Sequence, residues 1–222
     1  MATLLIMGAS RGLGLELARQ SLEAGDRVIA TVRNEAARDT LLGLGAEVLT
    51  LDLAKPASVS GLAWQLDGEK IDQALYVAGV MDRGNALSPP TQPQFDAVMH
   101  ANVLGVLQVL PQVMPMVEEA GGVFAAFSSR MSLIGSVADS QAWLYRISKA
   151  ALNMAIASAQ HSYARATLVT LDPGWVRTDM GGDGAPLSVQ DSVRGLRRTL
   201  AGITPADRGH LLHHDGQRAS HW

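Results

Sequence analysis

Short apolar runs alternate with longer amphipathic stretches along the whole chain. The apolar runs have the length of β-strands and occupy residues 3–7, 27–32, 46–51, 71–77, 122–127, 167–171 and 209–214. The stretches between them have the apolar spacing of helices, the longest being an alanine-rich segment at residues 143–163. This alternation predicts a mainly parallel sheet of seven strands with helices on both faces and ligand sites at the carboxyl ends of the strands.

The pattern continues from residue 1 to residue 222 without a proline- or serine-rich linker and without an internal repeat. We therefore expect a single α/β domain over residues 1–222. With 47% hydrophobic residues and a net charge of −3, the chain can bury a large core and has no basic field for nucleic acid. The absence of cysteine excludes disulfides and thiolate-bound metal and suits a reducing cytoplasm.

Two segments resemble targeting or membrane signals. Residues 1–7 are too short for a signal-peptide core and lack a basic start, so they are interpreted as the first strand. Residues 97–117 contain no Asp, Glu, Lys or Arg, yet polar residues recur through them and Pro111 and Pro115 would kink them. We expect a helix buried in the core or in a subunit interface, and a soluble, cytoplasmic protein without a membrane partner.

A glycine-rich loop follows the first strand directly. Gly8 permits a tight turn, Gly12 lets the backbone approach a pyrophosphate, and Gly14 lets the next helix pack closely. The helix N-terminus would then face the phosphates. The alternative is an ordinary glycine-rich connection between strand and helix.

The end of the second strand bears on cofactor choice. A fold that selects NAD usually has Asp or Glu there, whereas this strand ends at Val32 and Arg33. Arg33 and Arg11, in the glycine loop, are placed to bind the extra phosphate of NADP(H). The alternative is two ordinary solvated arginines, with NAD(H) as the cofactor.

Tyr145 and Lys149 lie four residues apart on the predicted alanine-rich helix, so their side chains share one face. An ammonium group close to a tyrosine favours the phenolate and lowers its pKa, which suits proton transfer at an alcohol or carbonyl oxygen. Ser129 follows the fifth strand, where a doubly wound sheet places its chemistry. Tyr145 and Lys149 alone would more often be a solvated surface pair.

Together these motifs resemble the short-chain dehydrogenase/reductase family over nearly the whole chain, in particular its C-factor-like and sniffer-like carbonyl reductases. The matching residues, in order, are Gly8, Gly12, Gly14, Asp52, Ala78, Gly79, Asn102, Ser129, Tyr145, Lys149, Pro173 and Gly174. The resemblance implies a Rossmann fold with strand order 3-2-1-4-5-6-7. It also implies an NADP(H)-dependent oxidoreductase that transfers hydride between nicotinamide and a small carbonyl or alcohol.

The resemblance assigns roles to individual residues. Tyr145 would be the general acid/base, Lys149 would lower its pKa and hold the nicotinamide ribose, Ser129 would hydrogen-bond the substrate oxygen, and Asn102 would support a water relay. The implied cofactor-binding set is Gly8, Ser10, Arg11, Gly12, Leu13, Gly14, Arg33, Asp52, Leu53, Ala78, Gly79, Tyr145, Lys149, Pro173, Gly174, Val176 and Thr178. Residues 179–186 would be a mobile lid over the substrate.

Two departures from the family pattern affect these expectations. Val77 replaces the usual asparagine after the fourth strand, which predicts weaker cofactor binding and leaves open a non-catalytic sensor or signalling protein on the same fold. Ser132, and not Ser129, has a glycine three residues later, so it is the rival for the active serine. Ser129 is favoured because it directly ends a strand.

Other polar residues give weaker signals. No metal is expected, because His210, His213 and His214 lack a carboxylate pair, and strand alternation would place the last two on opposite faces. The family resemblance would place Asp172 beside Tyr145 and Lys149, but a polar strand end near solvent is the favoured interpretation. Trp175, beside Pro173 and Gly174, is the tryptophan placed to touch a ligand.

Assembly is predicted from apolar surface in excess of what the sheet can cover. Residues 97–117 and 147–164 are poor in charge over several helical turns, and small alanines in the second stretch permit close helix packing. The family often dimerises through a four-helix bundle of these two helices. We expect a homodimer or a tetramer built from it, with a monomer as the alternative.

Overall fold

Across residues 1–53 and 55–222, which the computed structural model describes, seven parallel strands form one sheet in the order β3-β2-β1-β4-β5-β6-β7. The strands are β1 (Thr3–Met7), β2 (Arg27–Val32), β3 (Glu47–Thr50), β4 (Gln73–Tyr76), β5 (Val123–Phe127), β6 (Thr167–Asp172) and β7 (Leu211–His213). The predicted fold class and strand order are confirmed. Several strands are shorter than their apolar runs, because the outer residues of those runs serve the turns.

Two helical layers cover the sheet. The α-helices are α1 (Gly12–Glu23), α2 (Glu35–Gly43), α3 (Pro56–Val59), α4 (Leu62–Gln65), α5 (Gln92–Met99), α6 (Gly105–Ala120), α7 (Trp143–Ala159) and α8 (Val189–Ala201). Buried residues of α3, α4, α6 and α7 form one core on the first face, and those of α1, α2 and α8 form a second core on the other face.

The strands are apolar throughout because both faces of the sheet are buried. In β1, for example, Leu5 and Met7 face the α6 and α7 layer, while Leu4 and Ile6 face the α1 and α8 layer. This explains why strand signals in the sequence are continuous and do not alternate.

The helical segment Gln92–Ala120 is long and apolar enough to cross a membrane by length and composition alone. It is the one such segment in the part of the chain that the structure describes, and 44% of its most apolar window is buried. Val106, Val109, Val113 and Val117 of this segment are fully buried against the sheet. This packing is what a core helix of a Rossmann fold shows, as the sequence predicted.

The strand order reverses between β1 and β4, and a crevice opens at the carboxyl ends of the strands at such a point. The loops after β1, β4, β5 and β6 all reach this edge. Residues far apart in sequence, from Gly8 to Asp172, therefore meet in one region.

Candidate active site

A groove of about 500 Å³ runs along this edge of the sheet. Most of the predicted cofactor-binding residues line it, namely Gly8, Ser10, Arg11, Gly12, Leu13, Gly14, Arg33, Asp52, Leu53, Ala78, Gly79, Tyr145, Lys149, Pro173 and Thr178. Gly174 and Val176 do not line it. A Cβ on Gly174 would lie against Leu187 and His214, and Val176 is buried and pairs with Leu187.

The glycine loop has no side chains to cover its backbone where the groove begins. Gly8 has φ of +96°, and a Cβ there would lie 2.8 Å from the backbone nitrogen of Ala78. A Cβ on Gly14 would lie 2.2 Å from the Gly8 carbonyl oxygen, so only glycine lets α1 pack so closely on this turn. The N-terminus of α1 opens onto the groove, an arrangement that suits a phosphate group.

Arg11 and Arg33 have different surroundings. Arg11 forms an ion pair with Asp179, and both side chains are largely exposed. Arg33 is exposed at the end of β2 and makes no ion pair with any residue in the ranges 1–53 and 55–222. The neighbouring Asn34 caps α2 by accepting a hydrogen bond from the Ala37 backbone nitrogen. Of the two arginines, Arg33 is the one whose guanidinium is not already paired.

Asp52 lies at the far end of the groove, after β3. Its backbone nitrogen donates to Ser58 Oγ at 3.0 Å, and its carboxylate is 3.5 Å from Lys55 Nζ. Leu53 is buried and belongs to the core. Sequence analysis missed Thr31, whose Oγ1 accepts a 3.3 Å hydrogen bond from the Gly8 nitrogen and joins β2 to the glycine loop.

Tyr145 and Lys149 are both buried at the opposite end of the groove, in the first turns of α7. Lys149 Nζ lies 5.7 Å from the centre of the Tyr145 ring and donates a 2.6 Å hydrogen bond to the Phe127 carbonyl at the end of β5. The predicted sharing of one helix face is therefore correct, but the pair is not a solvated surface pair.

Burial dominates the ionisation of both groups. Burial raises the pKa of Tyr145 to about 12, a hydrogen bond with Ser129 lowers it, and the charge of Asp172 raises it. Burial also lowers the pKa of Lys149 to about 8. Lys149 has no part in the shift of the Tyr145 pKa, so the lowering that the sequence led us to expect from Lys149 is not found, and Tyr145 is a phenol at neutral pH.

The two candidate serines occupy different environments. Ser129 is close enough to Tyr145 to lower the pKa of the phenol, and its Oγ accepts from the Met131 backbone nitrogen at 3.1 Å. Ser132 Oγ is buried, donating to the Ser129 carbonyl at 2.5 Å and accepting from Asn153 Nδ2 at 2.7 Å. Ser129 therefore lies at Tyr145, while Ser132 joins the loop to α7.

Asn102 lies in a short π-helix, His100–Leu104, between α5 and α6. Its fully buried side chain accepts from the Val80 nitrogen at 2.9 Å and donates to the Val80 carbonyl and to Ser148 Oγ, each at 2.9 Å. A Cβ on Gly79 would lie 3.1 Å from Asn102 Oδ1 and 3.3 Å from Lys149 Nζ. Gly79 thus lets Asn102 and Lys149 approach the same point.

Val77, which stands where the family usually has asparagine, is accommodated by apolar packing. Val77 packs against the α1 and α8 core, and its backbone nitrogen donates to the Met7 carbonyl at 2.9 Å. The strand end that an asparagine would brace is here joined through Val80 to Asn102 of the π-helix.

The interpretation of Asp172 as a strand end near solvent is wrong, because Asp172 is 1% exposed. Its carboxylate accepts from His213 Nδ1 at 2.9 Å and from the Gly174 nitrogen at 3.2 Å. His214 instead packs against Gly174, so the two histidines do diverge as strand alternation predicts. Within residues 1–53 and 55–222, no cluster of His, Asp or Glu could hold a metal ion.

The predicted lid, residues 179–186, is a folded loop with its own hydrogen bonds. Its base is closed by pairing of Val176 with Leu187. Further bonds run from Trp175 Nε1 to the Gly181 carbonyl at 2.8 Å and from Arg83 Nη2 to the Met180 carbonyl at 2.7 Å. Its mobility stays a prediction, and any opening has to break these contacts.

Fold and groove together define the class, a Rossmann-type protein with a crevice that runs from the glycine loop to Tyr145 and Lys149. The short chain dehydrogenase family model matches residues 2–185, and the chain therefore belongs to this family. Membership makes it a NAD(P)-dependent oxidoreductase acting at the level of carbonyl and alcohol groups.

Individual relatives agree with this family. C-signal of Myxococcus xanthus is 36% identical over 66% of this chain and 90% of its own. A short-chain dehydrogenase/reductase from Burkholderia multivorans with bound NADP has a TM-score of 0.88 at 32% identity, covering 100% of this chain and 99% of its own. Carbonyl reductase Sniffer of D. melanogaster has a TM-score of 0.93 at 25% identity, covering both chains completely.

Proposed function

We propose that the protein is an NADP(H)-dependent reductase of small-molecule carbonyl compounds, working in the cytoplasm. The observation behind this proposal is the buried pair of Tyr145 and Lys149, in which Lys149 Nζ lies 5.7 Å from the centre of the Tyr145 ring. Ser129 is close enough to the phenol to lower its pKa. The similarity to an NADP-bound structure and to a carbonyl reductase supports the cofactor and the substrate class.

The residues of the groove fit the cofactor. Gly8 and Gly14 keep side chains out of the turn at the N-terminus of α1, where the pyrophosphate would bind, and Arg33 would pair with the ribose phosphate. Asp52 and Leu53 would border the adenine, and Lys149 would hold the nicotinamide ribose. Bound NADPH would supply a hydride to the carbonyl carbon.

Side chains of the protein would then stabilise the negative charge that develops on the substrate carbonyl oxygen. As the carbonyl oxygen gains electrons, Ser129 and Tyr145 donate hydrogen bonds to it, and the Tyr145 Oη–H bond breaks as the proton moves to that oxygen. A tyrosine with a pKa of about 12 is fully protonated at neutral pH and suits this direction. Lys149, with Asn102 nearby, would supply the replacement proton.

The first test adds ketones, aldehydes and quinones in turn to the protein with NADPH and follows the absorbance of reduced nicotinamide. A fall in absorbance with any of them, absent in a Tyr145→Phe variant, is the expected result. The rival function is a non-catalytic sensor or signalling protein, which the similarity to C-signal and the valine at residue 77 favour. Tight NADPH binding without oxidation by the whole panel would support that rival.

The serine substitutions separate activity from stability. We expect Ser129→Ala to lower kcat by about 10²-fold, the usual effect of losing one donor to a developing oxyanion. Ser132→Ala should change kcat much less but lower the free energy of unfolding by about 1 kcal/mol, because Asn153 loses its partner. Steady-state kinetics and thermal unfolding measure both, and a larger fall in kcat for Ser132→Ala would reverse the assignment.

Cofactor selectivity should depend on Arg33. Replacing it by alanine removes a charge-assisted contact of about 1.5–3 kcal/mol, so NADPH affinity should fall by about tenfold or more while NADH affinity stays constant. Arg11→Ala should cost less, because Asp179 already pairs with Arg11. Fluorescence titration with both cofactors measures this, using Arg194→Ala on the surface of α8 as control. Equal affinities of the parent for NADPH and NADH would contradict the proposal.

We also propose a homodimer formed through α6 and α7. Leu107 on α6 and Ile147 and Met154 on α7 are exposed by 48%, 50% and 69%, which leaves large apolar side chains on the outer surface of both helices. Light scattering should give twice the chain mass of 23.5 kDa, and Met154→Lys should shift it towards the monomer. Trp64→Lys, at an exposed apolar residue outside these helices, is the control. A parent mass of one chain at all concentrations would exclude the dimer.

A further inference from the structure

The first residue of the predicted lid reaches across the groove to the glycine loop. Asp179 of the lid and Arg11 of the loop both line the groove, and their side chains form an ion pair. Arg11 stands directly before α1, which begins at Gly12. The ion pair therefore joins the two walls of the groove beside the helix N-terminus, where a phosphate group is favoured.

The backbone brings lid and loop together independently of the ion pair. A Cβ on Gly12 would lie 3.7 Å from the Thr178 methyl carbon, so Thr178 lies directly over the glycine loop. A tight turn begins there, in which the Gly181 nitrogen donates to Thr178 Oγ1 at 3.1 Å and the Gly182 nitrogen donates to the Thr178 carbonyl at 2.8 Å. Asp179 belongs to this turn, so its carboxylate is held close to the phosphate-binding end of the groove.

The ion pair is weak enough to be exchanged for another contact. The side chains of Arg11 and Asp179 are both largely exposed, and exposed ion pairs contribute little to stability. Hydrogen bonds from Trp175 Nε1 and Arg83 Nη2 to carbonyls of the lid hold it without this pair. A phosphate group can therefore take over the Arg11 guanidinium without unfolding the lid.

The carboxylate and the cofactor would compete for the same cation. A phosphate monoester carries about two negative charges at neutral pH, and its oxygens accept the same pair of hydrogen bonds from a guanidinium that a carboxylate accepts. NADPH has such a phosphate on its adenine ribose, and NADH does not. Pairing of Arg11 with Asp179 therefore weakens the binding of NADPH more than the binding of NADH.

We propose that Asp179 is a specificity-determining residue that acts through Arg11 and reduces the preference of the protein for NADPH over NADH. In the ligand-free protein its carboxylate holds the guanidinium, and bound NADPH transfers the guanidinium to the ribose phosphate. The same exchange frees one link between the lid and the glycine loop. This inference rests on the proposed function for the identity of the cofactor, and it adds a residue that works against that cofactor.

Asp179→Asn tests the competition, because it removes the charge and keeps the size of the side chain. We expect the dissociation constant for NADPH to fall by about twofold to fivefold, the range set by an exposed ion pair, while that for NADH stays constant. Fluorescence titration with both cofactors measures this. The matched control is Asp183→Asn, which removes another carboxylate of the lid. Within residues 1–53 and 55–222, Asp183 forms no ion pair, so both constants should stay unchanged.

The same substitution in an Arg11→Ala background shows whether Asp179 acts through this arginine. There Asp179→Asn should tighten NADPH binding much less, whereas an effect on the fold of the lid would persist. The gain in the Arg11 parent should also shrink at high salt, because exposed charges are screened.

Hydrogen exchange followed by mass spectrometry tests the link without any cofactor. In ligand-free protein, Asp179→Asn and Arg11→Ala should each speed exchange of the Gly181 and Gly182 amides by about twofold or more, and Asp183→Asn should not.

The outcomes are distinguishable. Weaker NADPH binding in Asp179→Asn would overturn the inference and make the pair a clasp that closes over the bound cofactor. Unchanged binding and exchange would overturn it as well and leave an ordinary surface pair. A parent protein that binds neither cofactor would instead contradict the proposed function, and the exchange experiment would still report whether Asp179 ties the lid to the glycine loop.

Discussion

Tyr145→Phe is expected to lower the rate of carbonyl reduction by about 10²–10⁴-fold while the dissociation constant for NADPH changes by less than about twofold. The phenol is buried, and phenylalanine keeps the ring and its packing. Only the proton donor is lost, so the substitution should lower kcat and leave cofactor binding unchanged. Single-turnover absorbance measurements together with cofactor titration measure both quantities.

The matched control for this substitution is Tyr163→Phe, which removes a second tyrosine hydroxyl just after α7. It should leave both the rate and NADPH binding unchanged. Retention of most of the activity in Tyr145→Phe, on a substrate that the parent reduces, would show that another group donates the proton.

Lys149→Met should have the second largest effect, and it should lower both the affinity for NADPH and the rate of carbonyl reduction. Methionine fills a similar volume without charge, so we expect the NADPH affinity to fall by about tenfold or more and kcat to fall as well. The ammonium is buried with its pKa lowered to about 8. It is charged below that pH and neutral above it, so the parent should bind NADPH less tightly as the pH rises through 8, and the variant should lose this dependence.

Stability is expected to move in the opposite direction. One hydrogen bond from Lys149, to the Phe127 carbonyl, is found among the described residues, although an ammonium has three donors. Burying such a group is costly, so Lys149→Met should unfold at an equal or higher temperature than the parent. Lys70→Met, at an exposed lysine paired with Glu119, is the control. A lower unfolding temperature of Lys149→Met would mean that the ammonium stabilises the fold.

The fold could be predicted because its signals are local. Each parallel strand is a continuous apolar run. The turn after β1 needs glycine for steric reasons, and these glycines can be recognised in the sequence. The spacing of Tyr145 and Lys149 likewise follows from helix geometry. Strand order came from the family resemblance and not from these local signals.

The charges of the site could not be predicted in the same way. Asp172 and His213 are 41 residues apart, and Arg11 and Asp179 are 168 residues apart, so no local pattern reveals either pair. Whether Tyr145 has a raised or a lowered pKa depends on how deeply α7 is buried, which is a property of the packed molecule. The sequence shows which ionisable side chains the site contains, but not whether burial, hydrogen bonds or neighbouring charges dominate their pKa values.

The π-helix at His100–Leu104 has a consequence for how this chain can change. A π-turn contains one residue more than an α-turn, so deleting a residue there would leave one uninterrupted α-helix of better geometry. The wide turn absorbs the extra residue, so α5 and α6 would keep nearly the same relative rotation, while the side chains within the turn itself would be displaced. Asn102 could then no longer reach both Val80 and Ser148. Single-residue deletions in this segment should therefore yield folded protein without activity. The extra residue of the π-helix would then be required by the site and not by the stability of the fold.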